Sequence, residues 1–271
     1  MIILIIIIIR YFIPFALISF IIIFSFIIGL YLGNKKKYIE IKINNGDFNF
    51  NKELSNFISY SEYFEDLILF CIFYDVKNGF YIDIGANDPN ICSVTKAFYL
   101  RGWYGINVEP LSEKYKALIE ERKRDINLQT AIAQIEGNQT FYEFGSRSTL
   151  NKQYVEWKNK SIINIKVDTM ANICRKYIPN NEVIQFCKID VEGGEKNVLL
   201  GNDFEKYRPK IFCIESTRHF IPCHHLWEYI LLKNNYSFAF QYKVNRYYID
   251  NRIPDLRQRF VLAEKALEKF K

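Results

Sequence analysis

Five short strand-like runs, most of them apolar, are separated by segments with helical periodicity, and they constrain the fold of this chain more than any other feature. The runs are Phe80–Ile84, Tyr104–Val108, Leu128–Ala133, Val183–Ile189 and Ile211–Ile214. Near-continuous apolar runs of this length are typical of strands in a parallel sheet, because helices cover both faces of such a sheet. The segments at 94–100 and 112–123 have helical patterns between the runs. The sequence therefore predicts an α/β fold with a doubly wound, mostly parallel sheet.

Two further strand-like runs near the end of the chain break this alternation. Tyr236–Tyr242 and Arg246–Asp250 are joined by only three residues. A connection this short permits an antiparallel hairpin and no crossover. We therefore expect a seven-stranded sheet that ends in a C-terminal antiparallel hairpin, followed by a surface helix within 255–271.

The first 33 residues differ from the rest because Arg10 is their only charged residue. Residues 11–33 are uncharged, and a helix of 23 residues spans roughly 34 Å, enough to cross a bilayer. A cleaved signal peptide is the alternative, but the apolar stretch is too long and has no small-residue cleavage motif. We predict one transmembrane helix at 11–33 within an N-terminal membrane anchor, 1–33. Lys35–Lys37 follow directly, so the positive-inside rule favours a cytoplasmic location for the remainder, with the reverse orientation as the alternative.

The remainder of the chain divides into a polar linker at 34–59 and one domain at 60–271. Its composition is that of an ordinary folded protein, and the formal charge of the whole chain is only +6. No dense basic face is interleaved with aromatic residues, so the sequence argues against nucleic acid as a partner.

The turn after the first apolar run has the features of a ligand-binding loop. It reads Asp83-Ile84-Gly85-Ala86-Asn87-Asp88, and Gly85 permits a sharp turn and a close approach to a ligand. Glu109 ends the second run, where a carboxylate can accept hydrogen bonds from the two hydroxyls of a ribose. Together these residues indicate an adenosine-containing cofactor. The turn lacks the second and third glycines of a dinucleotide fingerprint.

Several motifs, taken in order, resemble the FkbM-type methyltransferases over residues 79–250. The matching stretches are FYIDIGANDPNICSVTKAFYLRGWYGINVEP at 80–110, STL at 148–150, CKIDVEGGEKNVLLG at 187–201 and NRYYI at 245–249. The resemblance implies the class I methyltransferase sheet, S-adenosylmethionine as cofactor, and O-methylation of a saccharide or glycan, which could be lipid-linked. It also implies a role for each of several residues: Asp83, Gly85, Ala86 and Asn87 around the methionine part of the cofactor, Glu109 at its ribose, and Asp190 and Glu192 facing the transferred methyl group.

Alternatives remain for the predicted catalytic residues. Asp190 and Glu192 could instead cap the helix that begins near Glu195. His219 is a secondary candidate base, since the pKa of histidine lies near working pH. Arg246 would bind an acidic acceptor or, more simply, pair with a Glu or Asp on a neighbouring strand.

A metal site is not expected in the loop after the fifth strand. His219, Cys223, His224 and His225 cluster in sequence but lack the paired spacing of zinc ligands. Two other functions stay open at this point: a nicotinamide-dependent oxidoreductase, and a membrane-tethered cofactor-binding protein without turnover.

Overall fold

A computed structural model describes residues 40–41, 57–152, 161–218 and 221–268. All of them belong to one compact unit, residues 39–271. The predicted transmembrane segment at 11–33 lies outside the described residues, as does most of the predicted linker at 34–59. Among the residues that are described, no helix is both long and apolar enough to cross a membrane.

The strands and helices are numbered here in chain order. The strands are β1 (Glu40–Ile41), β2 (Phe57–Ile58), β3 (Phe80–Ile84), β4 (Tyr104–Val108), β5 (Ile126–Leu128), β6 (Ala131–Ile132), β7 (Gly137–Glu143), β8 (Ser161–Asp168), β9 (Ile184–Ile189), β10 (Ile211–Glu215), β11 (Thr217–Arg218), β12 (Ile221–Pro222), β13 (Tyr236–Tyr242) and β14 (Asn245–Asp250). The helices are α1 (Glu65–Phe73), α2 (Lys96–Leu100), α3 (Ser112–Glu121), α4 (Met170–Tyr177), α5 (Glu195–Leu200), α6 (Glu228–Lys233) and α7 (Phe260–Leu267), with short 3-10 helices at His224–Leu226 and Pro254–Arg259.

The main sheet has seven strands in the order β13-β14-β10-β9-β3-β4-β5. Strand β14 runs antiparallel to both of its neighbours, and the strands from β10 to β5 pair in parallel. The predicted mostly parallel seven-stranded sheet with its C-terminal hairpin is therefore confirmed. The chain winds outward in one direction from β3 to β5 and in the other from β9, so the strand order reverses between β3 and β9. Ligands of open α/β sheets bind at such a reversal.

The predicted third strand, Leu128–Ala133, is wrong in its position. Strand β5 ends at Leu128, and the chain then leaves the main sheet. Ala131 pairs with Val167 in a separate three-stranded sheet of order β6-β8-β7. The run joins the half-buried end of β5 to the buried β6, and the polar residues Gln129 and Thr130 lie where the chain leaves the main sheet.

Two apolar layers cover the main sheet, one on each face. On one face, α1 and α7 pack against Tyr81, Phe186 and Ile211. On the other face, α4, α5 and α6 pack against Ile82 and Phe212. Successive residues of a strand point to opposite faces, so residues two positions after Tyr81 and Phe186, namely Asp83 and Lys188, point toward the α1 face.

Candidate active site

Polar side chains collect on the α1 face where four neighbouring strands meet. Asp83 of β3 is in register with Lys188 of β9, Lys188 is in register with Cys213 of β10, and Cys213 is in register with Tyr247 of β14. Two positions along, Glu215 is paired with Asn245. Because the side chains of residues two apart share a face, the sheet register itself brings Asp83, Lys188, Glu215 and Asn245 to one cavity of about 400 Å³.

Gly85 allows the loops after β3 and β9 to touch. Its φ is +84°, and a Cβ atom there would lie 1.9 Å from the backbone oxygen of Asp190. The amides of Gly85 and Ala86 both donate to the carbonyl of Val108, at 3.0 and 3.1 Å. Any side chain at residue 85 would force the two loops apart, so this position requires glycine for the close contact between backbones as well as for its conformation.

Glu109 joins the glycine turn to the end of β4. It is buried, and its carboxylate accepts hydrogen bonds from the amides of Asn87 and Leu111, each at 2.8 Å. Burial raises the pKa of Glu109, although the two amides oppose this. Each oxygen keeps a further lone pair toward a smaller cavity of about 60 Å³, which Ile132 and Phe141 also line.

Asn87 has an unsatisfied polar atom at this site. Its φ is +50°, and its Oδ1 atom is buried without a hydrogen-bond partner among the described residues. A buried acceptor without a partner is costly. Glu109 and Asn87 together therefore offer the hydrogen-bonding groups that a nucleoside requires, beside an apolar cavity.

Asp83 lies beneath the glycine turn. It is buried and accepts a hydrogen bond from Thr95 Oγ1 at 3.1 Å. Burial raises the pKa of Asp83 to about 6, and the nearby Lys188 ammonium opposes that rise.

Three carboxylates, those of Asp190, Glu192 and Glu215, converge above Lys188. Their oxygens lie within 4.8 Å of one another, and Glu192 has a φ of +52°, a strained value of the kind found at functional sites. Burial and the charge of Asp190 raise the pKa of Glu192 to about 7. The same two causes, burial first, raise the pKa of Glu215 well above its ordinary value. We refer to these three residues as the acid cluster.

Asp190 differs from the other two because it has a cationic partner. Its Oδ2 atom lies 2.9 Å from Lys188 Nζ, and its side chain is 39% exposed toward the cavity. Burial alone would raise the pKa of Asp190, but Lys188 and, to a smaller extent, a hydrogen bond with Glu215 lower it below its usual range. A cation could bridge the acid cluster, yet Lys188 already supplies compensating charge there, and we assign no metal to it.

The helix-capping interpretation of Asp190 and Glu192 does not hold. Glu195 itself accepts from the amides of Val191 and Gly193, at 3.3 and 3.0 Å. No side chain caps the start of α5, whose N-cap residue is Gly194. The carboxylates of Asp190 and Glu192 are therefore available to the cavity.

The loop that follows β7 is fastened to the acid cluster. Thr149 is buried, and its Oγ1 atom donates to the carbonyl of Glu192 at 2.8 Å. Asn151 Nδ2 donates to the carbonyl of Gly193 at 3.1 Å. Arg147 of the same loop acts on Glu192 electrostatically and opposes the rise in its pKa. The small sheet β6-β8-β7 thus supplies one wall of the cavity.

The remaining predicted residues have different outcomes. His219 lies outside the described residues. Arg246 pairs with a carboxylate, that of Glu228 at 2.9 Å, but Glu228 lies in α6 and not on a neighbouring strand. His224 lies 3.3 Å from Arg246, and within the described ranges the histidines and cysteines do not gather into a metal-ligand group.

Sequence reasoning missed Lys188 and gave Glu215 no role in the chemistry. The signal for Lys188 was present: it is the only charged residue in the strand Ile184–Ile189, and it lies two positions before Asp190. Glu215 ends β10 just as Glu109 follows β4.

Comparisons with known proteins give one family. Residues 83–238, more than half of the chain, match the family model of the methyltransferase FkbM domain. No curated protein matches the chain. Among solved structures, the chain is similar to the crystal structure of methyltransferase FkbM from Methylobacillus flagellatus KT, with 14% identity and a TM-score of 0.43. That similarity covers 64% of this chain and 44% of the other, so this chain spans less than half of the length of that protein.

Proposed function

This chain belongs to the FkbM methyltransferase family, and on that premise we propose that it transfers a methyl group from S-adenosylmethionine to a hydroxyl of a saccharide or glycan. The observation that carries the proposal is the position of Glu109 and Asn87 at the strand-order reversal, next to the acid cluster. A nucleoside site and a proton-accepting site then share one edge of the sheet.

The residues present fit the proposed cofactor. Glu109 would accept hydrogen bonds from the ribose, and the unpartnered Asn87 Oδ1 would accept one from the ligand. Asp83 and the backbone around Gly85 and Ala86 would border the methionine part. When bound, S-adenosylmethionine supplies a sulfonium whose methyl group is transferred to a nucleophile.

The chain itself would position the acceptor and remove its proton. Holding two reactants in line accounts for a large part of the catalysis of such displacements. A general base is most effective when its pKa lies near the working pH, and Glu192, with a pKa of about 7, meets that condition. We propose Glu192 as the base, with Asp190 beside it to orient the hydroxyl.

The cavity walls support a polyhydroxylated acceptor. The carboxyl groups of Glu192 and Glu215 would form hydrogen bonds with hydroxyls, and Tyr142 and Phe144 line the same cavity. Aromatic rings pack against apolar C–H groups while the carboxylates bind the polar edges. These groups are the ones that a sugar ring requires.

A nicotinamide-dependent oxidoreductase has less support, because the turn at 85–90 reads G-A-N-D-P-N and lacks two of the three fingerprint glycines. A cofactor-binding protein without turnover would have the same cofactor site but would not transfer the methyl group. It predicts binding of S-adenosylhomocysteine with no transfer to any saccharide.

We also propose that residues 11–33 anchor the protein in a membrane with the catalytic domain in the cytoplasm. The support is the uncharged apolar stretch and Lys35–Lys37 after it. Protease added to sealed and to opened membrane vesicles tests this orientation. In sealed vesicles whose cytoplasmic face is inside, the domain should be protected until the vesicles are opened. Digestion of the domain in those sealed vesicles would contradict the orientation.

The first experiment is calorimetric titration of the full chain with S-adenosylhomocysteine. Glu109→Gln should weaken binding about tenfold or more, as expected when a buried charged acceptor is lost. Glu113→Gln, an exposed glutamate nearby in α3, is the matched control and should leave the affinity unchanged. Binding of NAD in place of S-adenosylhomocysteine would reject the proposal. Labelled S-adenosylmethionine offered with glycans and glycolipids then tests transfer and identifies the acceptor.

A further inference from the structure

Lys188 places a cation inside the cavity beneath the acid cluster. Its side chain is only 4% exposed. Titratable groups face it from every neighbouring element: Asp83 on β3, Glu65 on α1, Cys213 and Glu215 on β10, Tyr247 on β14, and Asp190 after its own strand. Glu65 is itself engaged, because it accepts from Asn245 Nδ2 at 2.6 Å. Asp190 is the ion-pair partner of Lys188 among the described residues.

This ion pair does not tie two elements of the fold together. Lys188 and Asp190 are two residues apart on one strand and its end, and they share a face of the sheet. Removing a charged pair from water costs more than burying an apolar side chain of the same size. A lysine whose partner lies on the same short segment therefore adds little to tertiary stability and needs another explanation.

The acid cluster provides that explanation. Three carboxylates whose oxygens lie within 4.8 Å of one another cannot all be ionised in a partly buried site, since like charges at this distance oppose ionisation. A cation 2.9 Å from one of them determines which member stays charged. Lys188 reaches Asp190 and Glu215 hydrogen-bonds to it, so Asp190 stays ionised, Glu215 holds the proton of the resting cluster, and Glu192 is left to accept one.

We propose that Lys188 is a positioning residue of the methyl-transfer site, which fixes the Asp190 carboxylate in ionised form and leaves Glu192 to take the proton of the acceptor. This inference rests on the proposed function. In the step it serves, the acceptor oxygen bonds to the methyl carbon, the bond between sulfur and methyl carbon breaks with its electron pair going to sulfur, and the hydroxyl proton moves to the Glu192 carboxylate.

The test is a pH titration of the full chain labelled with ¹³C at Asp and Glu carboxyl carbons, with Asp190→Asn used to assign the Asp190 signal. In the wild type, Asp190 should stay ionised across neutral pH. Lys188→Met should raise the titration midpoint of Asp190 by about one pH unit or more, and Lys188→Arg should restore it. The exposed Lys206→Met is the matched control and should not move it.

Three results would overturn the inference: no shift of the Asp190 midpoint in Lys188→Met, an equal shift in Lys206→Met, or no restoration by Lys188→Arg. Lys188→Gln serves as a second variant if Lys188→Met does not fold. Binding of S-adenosylhomocysteine by the wild type is measured in parallel. If it fails, the proposed function fails, whereas the titration still decides the role of Lys188.

Discussion

Gly85 allows a direct measurement of how tightly the two loops at the strand reversal are joined. Replacing it with alanine adds one carbon atom, which would lie 1.9 Å from the Asp190 carbonyl oxygen. Gly102 is the matched control, because its φ of +93° is equally unfavourable to a side chain, yet the nearest atom to its Cβ would be 4.0 Å away. The difference between the two variants isolates the contact from the backbone conformation.

The structure sets the size of that difference. Both variants lose about 1–2 kcal/mol because alanine disfavours the left-handed region. Gly85→Ala must in addition separate the loops, which weakens the 3.0 Å hydrogen bond from the Asp190 amide to the Ile84 carbonyl, worth about 1 kcal/mol, and adds overpacking strain of about 1–3 kcal/mol. We therefore expect Gly85→Ala to be less stable than Gly102→Ala by at least about 2 kcal/mol, or roughly 4–8 °C in Tm.

Urea unfolding of the full-length variants, followed by circular dichroism, measures this difference, and titration with S-adenosylhomocysteine shows whether binding is lost in Gly85→Ala alone. Equal destabilisation of the two variants would refute the argument, because it would mean that the loops after β3 and β9 do not press on each other at Gly85.

Two further predictions concern charged groups. Burial raises the pKa of Glu192 from 4.5 to about 7, so the contribution of this side chain to stability is present below the unfolded pKa and is lost as the pH rises through about 7. Glu192→Gln should therefore raise Tm relative to the wild type at about pH 8.5 and change it little near pH 4.5. An equal change in Tm at both pH values would contradict this prediction. Arg208 pairs with Asp250 at 3.0 Å, and the two side chains are 9% and 4% exposed. Arg208→Met should cost about 3 kcal/mol, seen as a fall of roughly 6–12 °C in Tm. Arg252, which also contacts Asp250 but is 57% exposed, is the control: Arg252→Met should cost less than about 1 kcal/mol, and similar losses in both variants would contradict the role of burial.

The sequence was sufficient to predict most of the main sheet and the loops at its edge. Gly85 and Glu109 follow apolar strands directly, so their place at the carboxyl end of a parallel sheet is fixed once the strands are recognised. Their neighbours in space were harder to predict, because local periodicity does not specify the register between strands that are far apart in the chain. Lys188 faces Asp83 across more than a hundred residues, and no local pattern indicates that pairing.

The end of β5 could not be predicted for a related reason. Gln129 and Thr130 interrupt the apolar residues between β5 and β6, but polar residues also occur inside a strand, as Gln185 and Lys188 do in β9. Only the pairing of Ala131 with Val167 shows the change, and that partner lies far along the chain.

The small sheet has a consequence for how this protein could be re-engineered. It enters at Ala131 and leaves at Asp168, and these ends lie side by side because β6 pairs with β8. A segment whose ends meet can be lengthened or exchanged at little entropic expense to the rest of the fold. The turn at Gly85 belongs to the main sheet, whereas Arg147 and Thr149 belong to this insert. A graft of residues 131–168 would therefore change the walls of both cavities at once, because Ile132 and Phe141 line the smaller cavity beside Glu109 while Arg147 and Thr149 line the larger one.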